Sequence, residues 1–216
     1  MMATMNLFPT FKYSQPEAYR FSHDSVFLAR EIFERHQNEI KQPDYQILDL
    51  CAGCGIVGMD LLFHQIKNSS FQGESDFLEI QAVYRDHFEK NKLTLQKSFT
   101  EQNLVLNWIE KNYADIKKYK KYDLILANPP FFIKSRGTLS NSEFKNRCRF
   151  FIDSTWTEML YFMKNSLKEH GKAYFLVRDE LKEIIEKEYY FDISLPKVKF
   201  LSQIRGTWIG SLETEP

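Results

Sequence analysis

The run Tyr45-Gln46-Ile47-Leu48-Asp49-Leu50, passing into Cys51-Ala52-Gly53-Cys54-Gly55, decides the fold. Its first part is a short apolar strand; its second is a glycine cluster in a chain of 216 residues with only 8 glycines. Val57, Leu61 and Leu62 then follow at helical spacing. A glycine loop between strand and helix lets backbone approach a ligand closely, and the helix start adds the positive end of a dipole. The loop is neither the G-x-G-x-x-G of dinucleotide folds nor a lysine-bearing phosphate loop. Cys51 and Cys54 also form a C-x-x-C, which leaves a redox pair or half a zinc site open, with Cys148 the remaining cysteine.

Outward from this loop the chain alternates. Residues 1 to 21 read as an irregular leader, and Ser22 is a good N-cap for a helix over Asp24–His36 before Pro43. Asp76–Glu79 is a second short strand. Ile80, Val83, Tyr84, His87 and Phe88 predict one helical face. Leu104–Ile109 and Tyr122–Ala127 read as further strands. A helix through Trp156, Met159, Leu160, Met163 and Leu167 is expected to be capped by Asp153 or Ser154 and to close near Gly171. Ala173–Val177 reads as a strand, Leu181–Lys187 as a helix, and Phe191–Leu195 with Val198–Ile204 as a terminal strand pair. Such alternation predicts an α/β domain with a parallel sheet, helices on both faces, and ligands at the strands' carboxyl ends.

Two further features fall at such ends. Glu79, after the second strand, is placed to accept hydrogen bonds from the hydroxyls of a ribose. Asn128-Pro129-Pro130-Phe131 stops the fourth strand. The prolines remove backbone donors and fix φ, leaving the Asn128 amide oxygen and the Pro129 carbonyl free to accept. Two converging acceptors suit a planar amine, and Phe131 offers a face on which a flipped base could stack.

Composition narrows the classes. Charged residues make up 27% and the AVILMFWYC set 43%, globular proportions, and length predicts one domain. We expect a leader and N-terminal helix over residues 1–44 and a catalytic core over 45–216. No apolar run spans a membrane, no signal peptide is evident, and three cysteines make no disulfide framework, so a cytoplasmic location is expected. The 29 basic and 29 acidic residues balance, yet charge is uneven locally. Lys134, Arg136, Lys145, Arg147 and Arg149 stand against Glu143 after the N-P-P-F turn. Lys111, Lys117, Lys118, Lys120 and Lys121 stand against Asp115 before its strand. Both runs are read as flanking one site, where they could hold phosphates.

The order D-L-C-A-G-C-G, Glu79, N-P-P-F resembles class I S-adenosylmethionine-dependent methyltransferases that act on exocyclic or amide nitrogen. The segment Tyr19-Arg-Phe-Ser-His-Asp-Ser-Val-Phe-Leu-Ala29 looks like that of bacterial tRNA adenine-N6 methyltransferases of the valine-tRNA-modifying type. The resemblance runs from about residue 15 to 178. It implies a Rossmann-like, mainly parallel seven-stranded sheet and S-adenosyl-L-methionine as cofactor, with no obligatory metal. It implies that Asp49, Cys51, Ala52, Gly53 and Gly55 cradle the methionine part, that Glu79 binds the ribose, and that Ser22 and Asp24 close the site. Asn128, Pro129, Pro130 and Phe131 would form the catalytic turn, with Asn128 also at the cofactor. For the adenine contact Asn112 is the nearest candidate, with Glu110 and Asp115 as rivals. The implied reaction is methylation of an exocyclic amine in RNA, foremost adenine-N6 of a tRNA, with Lys134, Arg136, Lys145, Arg147 and Arg149 on the RNA. Guanine-N2 methylation of ribosomal RNA, protein-glutamine methylation and a non-catalytic RNA-binding scaffold are the alternatives.

Overall fold

The computed structural model describes residues 9–134, 137–192 and 194–213. Its centre is a seven-stranded sheet in the order β3-β2-β1-β4-β7-β9-β8. β1 (Gln46–Leu50), β2 (Glu74–Glu79), β3 (Val105–Glu110), β4 (Tyr122–Ala127) and β7 (Leu167–Arg178) pair in parallel. β9 (Thr207–Glu213) runs antiparallel to β7 and to β8 (Lys199–Ile204). Ile47, Leu48, Leu50 and residues 124–127 are fully buried, as continuous apolar strands must be when helices cover both faces.

Three helices, α1 (His23–Ile40), α2 (Ile56–Asn68) and α3 (Arg85–Ser98), pack one apolar layer with the leader. α5 (Trp156–Ser166) and α6 (Asp179–Phe191) contribute to a second layer. A short helix, α4 (Glu143–Arg149), is bracketed by the parallel pair β5 (Phe132–Ile133) and β6 (Phe150–Phe151). After β1 the chain moves outward to β2 and β3, then returns to place β4 on β1's other side. That reversal opens a crevice between the carboxyl ends of β1 and β4. Register pairs Leu50 with Ala127, so the glycine loop and the N-P-P-F turn leave the sheet side by side.

Polar bonds pin the leader across this end. Thr10 donates through N and Oγ1 to Asp60 Oδ1 at 3.1 and 2.7 Å. The fully buried Asp60 carboxylate also receives Arg30 Nε at 2.7 Å. Ser14 N donates to Asn91 Oδ1 at 2.7 Å.

Several boundaries differ from the sequence reading. Ile80 and Val83 are 37% and 51% exposed, so no helical face begins at Ile80. The Glu79 carboxylate takes the Gln81 N–H at 2.9 Å, and only a 3-10 turn, Ala82–Tyr84, precedes α3. The buried face of this segment is Tyr84, Phe88, Asn91 and Leu95. The cap of α5 is Thr155 rather than Asp153 or Ser154. Thr155 Oγ1 accepts from Glu158 N while Thr155 N donates to the Glu158 carboxylate, a reciprocal capping box. Leu167 opens β7 rather than closing α5. At Gly171 a Cβ would come 2.9 Å from two carbonyl oxygens, beside the irregularity between Tyr122 and Leu124 in the β4–β7 register.

The terminal pairing is a correction as well. Phe191 ends α6, and the partner of β8 is Thr207–Glu213, across a two-residue turn with Arg205 at φ 48° and Gly206 at φ 75°. Left-handed conformations at both turn positions match the twist of a hairpin. Ile193, within the strand expected over 191–195, lies outside the described residues.

Candidate active site

The glycine loop is built on three left-handed residues, Cys51 (φ 57°), Gly53 (φ 53°) and Gly55 (φ 83°). Cys51 adopts at a side-chain cost what glycine adopts freely. At Gly55 a Cβ would approach Met59 Cε to 2.9 Å and Phe88 to 3.1 Å. Ala52 N donates to Leu78 O at 3.0 Å, tying the loop to the end of β2. That places Glu79 against it: Oε2 accepts from Gly53 N at 2.9 Å and Oε1 from Gln81 N at 2.9 Å. Burial pushes the Glu79 carboxyl above its usual range while these N–H groups pull it down. Two bonds leave acceptor capacity on a carboxylate that lines the cleft.

Asp49 lies behind the loop, fully buried and outside the cleft wall. Its Oδ2 accepts from Gly58 N at 2.8 Å, and its Oδ1 has no partner among the described residues. Burial pushes its carboxyl up to about 8. Cys54 is buried and Cys51 half-buried at the cleft wall, and desolvation pushes both thiols upward, Cys54 to about 12, away from the thiolate that redox or metal chemistry requires.

The cleft is walled by Cys51, Ala52, Gly53, Glu79, Asn128, Pro130 and Arg147, which the sequence reading named, and by residues it missed. Gln15, Tyr19 and Phe21 close it from the leader, Ser25 from α1, and Gln81, Tyr84 and Cys148 from beyond β2 and from α4. Cys148 Sγ lies 3.3 Å from Tyr84 Oη and accepts from Gln81 Nε2 at 3.4 Å.

Asn128 stands where this cleft meets a second one, walled by Pro129, Phe131, Phe132, Arg149 and Arg178. Its Nδ2 donates to Ser25 Oγ at 2.7 Å, whereas its Oδ1 is buried without a partner. A donor fixed on one side turns the bare acceptor to the other. Phe131 N donates to Arg149 O at 3.1 Å, and the Arg178 guanidinium lies 4.9 Å from the Phe131 ring centre.

The other expected residues are distributed as follows. Ser22 borders the second cleft. Asp24 does not line the first cleft and accepts from Arg178 Nη2 and Thr207 Oγ1, both at 3.2 Å. Asn112 lines a third, adjoining cleft with Cys51 and Glu79, which Glu110 and Asp115 do not. Both ends of its amide are used: Oδ1 accepts from Ala114 N at 3.0 Å and Nδ2 donates to Asp153 O at 2.8 Å. Lys134, Lys145 and Arg149 are exposed beside the turn, Arg149 lying over the Phe132 and Phe150 rings. Arg147 is paired with Glu143 and Asp153, both at 3.1 Å, so its charge is compensated. Arg136 lies outside the described residues.

The second basic run is a correction. Lys117, Lys118, Lys120 and Lys121 precede β4 at its amino end, whereas Asn128 follows its carboxyl end, six strand residues or roughly 20 Å away. Lys120 bonds Glu74 and Asp76 at the start of β2, and Lys121 bonds Asn165 O at the end of α5. Only Lys111 of that run lies at the site's end, in the third cleft.

Known proteins can be set beside this geometry. A protein-family model described as "Lysine methyltransferase" matches residues 22–136, just over half the chain. No curated protein matches it. A Listeria monocytogenes structure assigned to the class I S-adenosylmethionine-dependent methyltransferases superposes with a TM-score of 0.59 at 14% identity, covering 89% of this chain. TrmN from Thermus thermophilus gives 0.55 at 16%, covering 88%. The 16S rRNA N2 methyltransferase RsmC, solved with AdoMet and guanosine, gives 0.54 at 17%, covering 92%. This chain spans 60%, 49% and 45% of those three chains. The fold is therefore the Rossmann-like α/β fold of S-adenosylmethionine-dependent methyltransferases. Among the described residues no helix is long and apolar enough to cross a membrane.

Proposed function

The chain belongs to the methyltransferase family whose model it matches over residues 22–136, and from that premise we propose that it methylates an exocyclic amino group in RNA, foremost adenine-N6 of a tRNA. The residues fit the cofactor: a carboxylate with spare acceptor capacity, Glu79, meets left-handed backbone at Gly53 in one cleft. Glu79 would hold the ribose, Cys51, Ala52 and Gly53 the methionine part, with Gly55 shaping the loop. Asn112 would border the adenine in the adjoining cleft. When bound, S-adenosyl-L-methionine supplies a methyl group on a sulfonium.

The observation that carries the reading is the Asn128 amide, on the wall of both clefts, its nitrogen tied to Ser25 and its oxygen buried without a partner. That oxygen and the Pro129 carbonyl would accept both amine hydrogens, turning the nitrogen lone pair out of conjugation and toward the methyl carbon. Phe131 would carry the base. This is catalysis by positioning and electrostatics. Methyl transfer from the sulfonium to that nitrogen would leave a thioether, and the amine proton would pass to water. Lys134, Lys145 and Arg149 would hold phosphates at the rim, with the enzyme working in the cytoplasm.

The family's description favours a second reading, a protein lysine. A lysine amine arrives protonated and needs a proton acceptor. The second cleft holds two acids, Asp179, whose Oδ1 accepts from Gln203 and Trp208, and Glu180, so the choice between the two amines is made by the labelled product. Incubation with total tRNA and methyl-labelled cofactor, followed by nucleoside analysis, tests this. N6-methyladenosine is expected; label in N2-methylguanosine or in ribonuclease-resistant protein would replace the assignment.

A further inference from the structure

We propose that the end of the sheet opposite the active site is a second RNA-binding surface, which takes the phosphate backbone of the same folded RNA. It rests on the RNA reading above. Its starting point is the basic run before β4, which folding carries away from the catalytic turn. Tyr119 packs its ring 5.9 Å from Phe162, and Lys121 Nζ donates to Asn165 O at 2.6 Å. These contacts lay residues 117–121 along the last turns of α5, which carry Lys164. At the same helix end, Lys121, Lys164, Lys168 and Lys197 line a groove with Tyr189. Three segments distant in sequence thus converge their lysines on one end of the molecule.

Pairing separates structural lysines from available ones. Lys120 is held by Glu74 and Asp76, and Lys168 by Asp123. Lys117, Lys118, Lys164 and Lys197 are exposed and have no ion-pair partner among the described residues. Two acids share the groove: Glu213 faces Lys199 at 3.5 Å, and Glu169 is exposed, one acid against the four lysines. In a chain of zero net charge, four unmatched cations with exposed Tyr119 among them form a basic surface with an aromatic face, which suits a polyanion. An RNA whose target base sits in the cleft need reach only about 20 Å along the sheet to touch it.

The test compares wild-type protein with a quadruple variant, Lys117→Gln, Lys118→Gln, Lys164→Gln and Lys197→Gln, using a fluorescein-labelled unmodified tRNA transcript. Anisotropy titrations over a range of salt concentrations give affinity and its salt slope. Every phosphate that no longer meets a lysine lowers that slope by about one, so a drop of about 2 to 4 is expected, with Kd raised roughly tenfold near 0.1 M salt. In methylation assays KM for tRNA should rise with Kd while kcat is unchanged. Unaltered Kd and slope, with a wild type that binds and methylates tRNA, overturn the surface and leave the RNA reading standing. A wild type that binds acidic polypeptide but not tRNA overturns both.

Discussion

The fully buried Asp49 lies behind the glycine loop and accepts from Gly58 N at the start of α2. Its carboxylate fits only because residue 58 is glycine: a Cβ there would meet Asp49 Oδ2 at 3.1 Å and Phe77 at 2.7 Å. Burial raises the Asp49 carboxyl to about 8, whereas in an unfolded chain it titrates near 3.9. Between those values the folded protein keeps a proton that the unfolded chain has lost, so stability falls as pH rises through the window and levels off above it. Thermal unfolding of the free protein should show Tm declining from pH 5 to 8, and Asp49→Asn should flatten that decline. An equally steep decline in the variant would remove Asp49 as its source. Asn128 makes a different prediction. Asn128→Ala should leave cofactor affinity largely unchanged in a calorimetric titration and lower turnover by roughly 10² or more, the scale for losing a positioned polar group in the transition state. Turnover within a factor of two of wild type would take Asn128 out of the reaction.

Elements that declare their own ends could be read from sequence; those ended by distant partners could not. β4 was legible residue for residue, because an apolar run followed by two prolines stops where φ is fixed and donors vanish. Ile80 misled because its spacing suits a helix, yet a carboxylate one residue earlier claims the Gln81 N–H. The leader's contribution to the cleft was equally hidden. Gln15, Tyr19 and Phe21 are brought there by anchors such as Asn91, whose only local signal is a polar residue on a helix face. Asn91 Oδ1 accepts from Ser14 N, while Nδ2 donates to Ser14 O and Cys54 O, both at 2.9 Å. One buried amide therefore joins leader, glycine loop and α3. Asn91→Ala would leave those groups unpaired at a cost of about 2 kcal/mol or more. We expect a lower midpoint in urea and a raised KM for the cofactor. A stability loss with unchanged KM would mean that the leader does not shape the cofactor cleft.

Across the whole molecule, the parallel half of the sheet followed from alternation alone, and the antiparallel edge did not. The turn that makes β9 possible is Arg205-Gly206, and an arginine at its first left-handed position carries none of the Asn-Gly or Asp-Gly signal that announces a hairpin. β9 is nevertheless interior, lying between β7 and β8. Ile209 and Leu212 on it are buried, Gly210 faces Phe175 so closely that a Cβ would come 2.6 Å from the ring, and Thr207 bonds Asp24 on α1. Removing it would expose the unpaired edge of β7, detach β8 and free Arg178 and Asp24 from their common anchor beside Phe131. A chain ending at Ile204 should therefore lose cooperative unfolding, not merely stability, and should aggregate through the bared strand. Circular dichroism melts of the soluble fraction check this. A sharp transition near the wild-type Tm would mean that the five parallel strands with α1, α2, α3, α5 and α6 suffice as a folding unit, and that β8 and β9 only cover its edge.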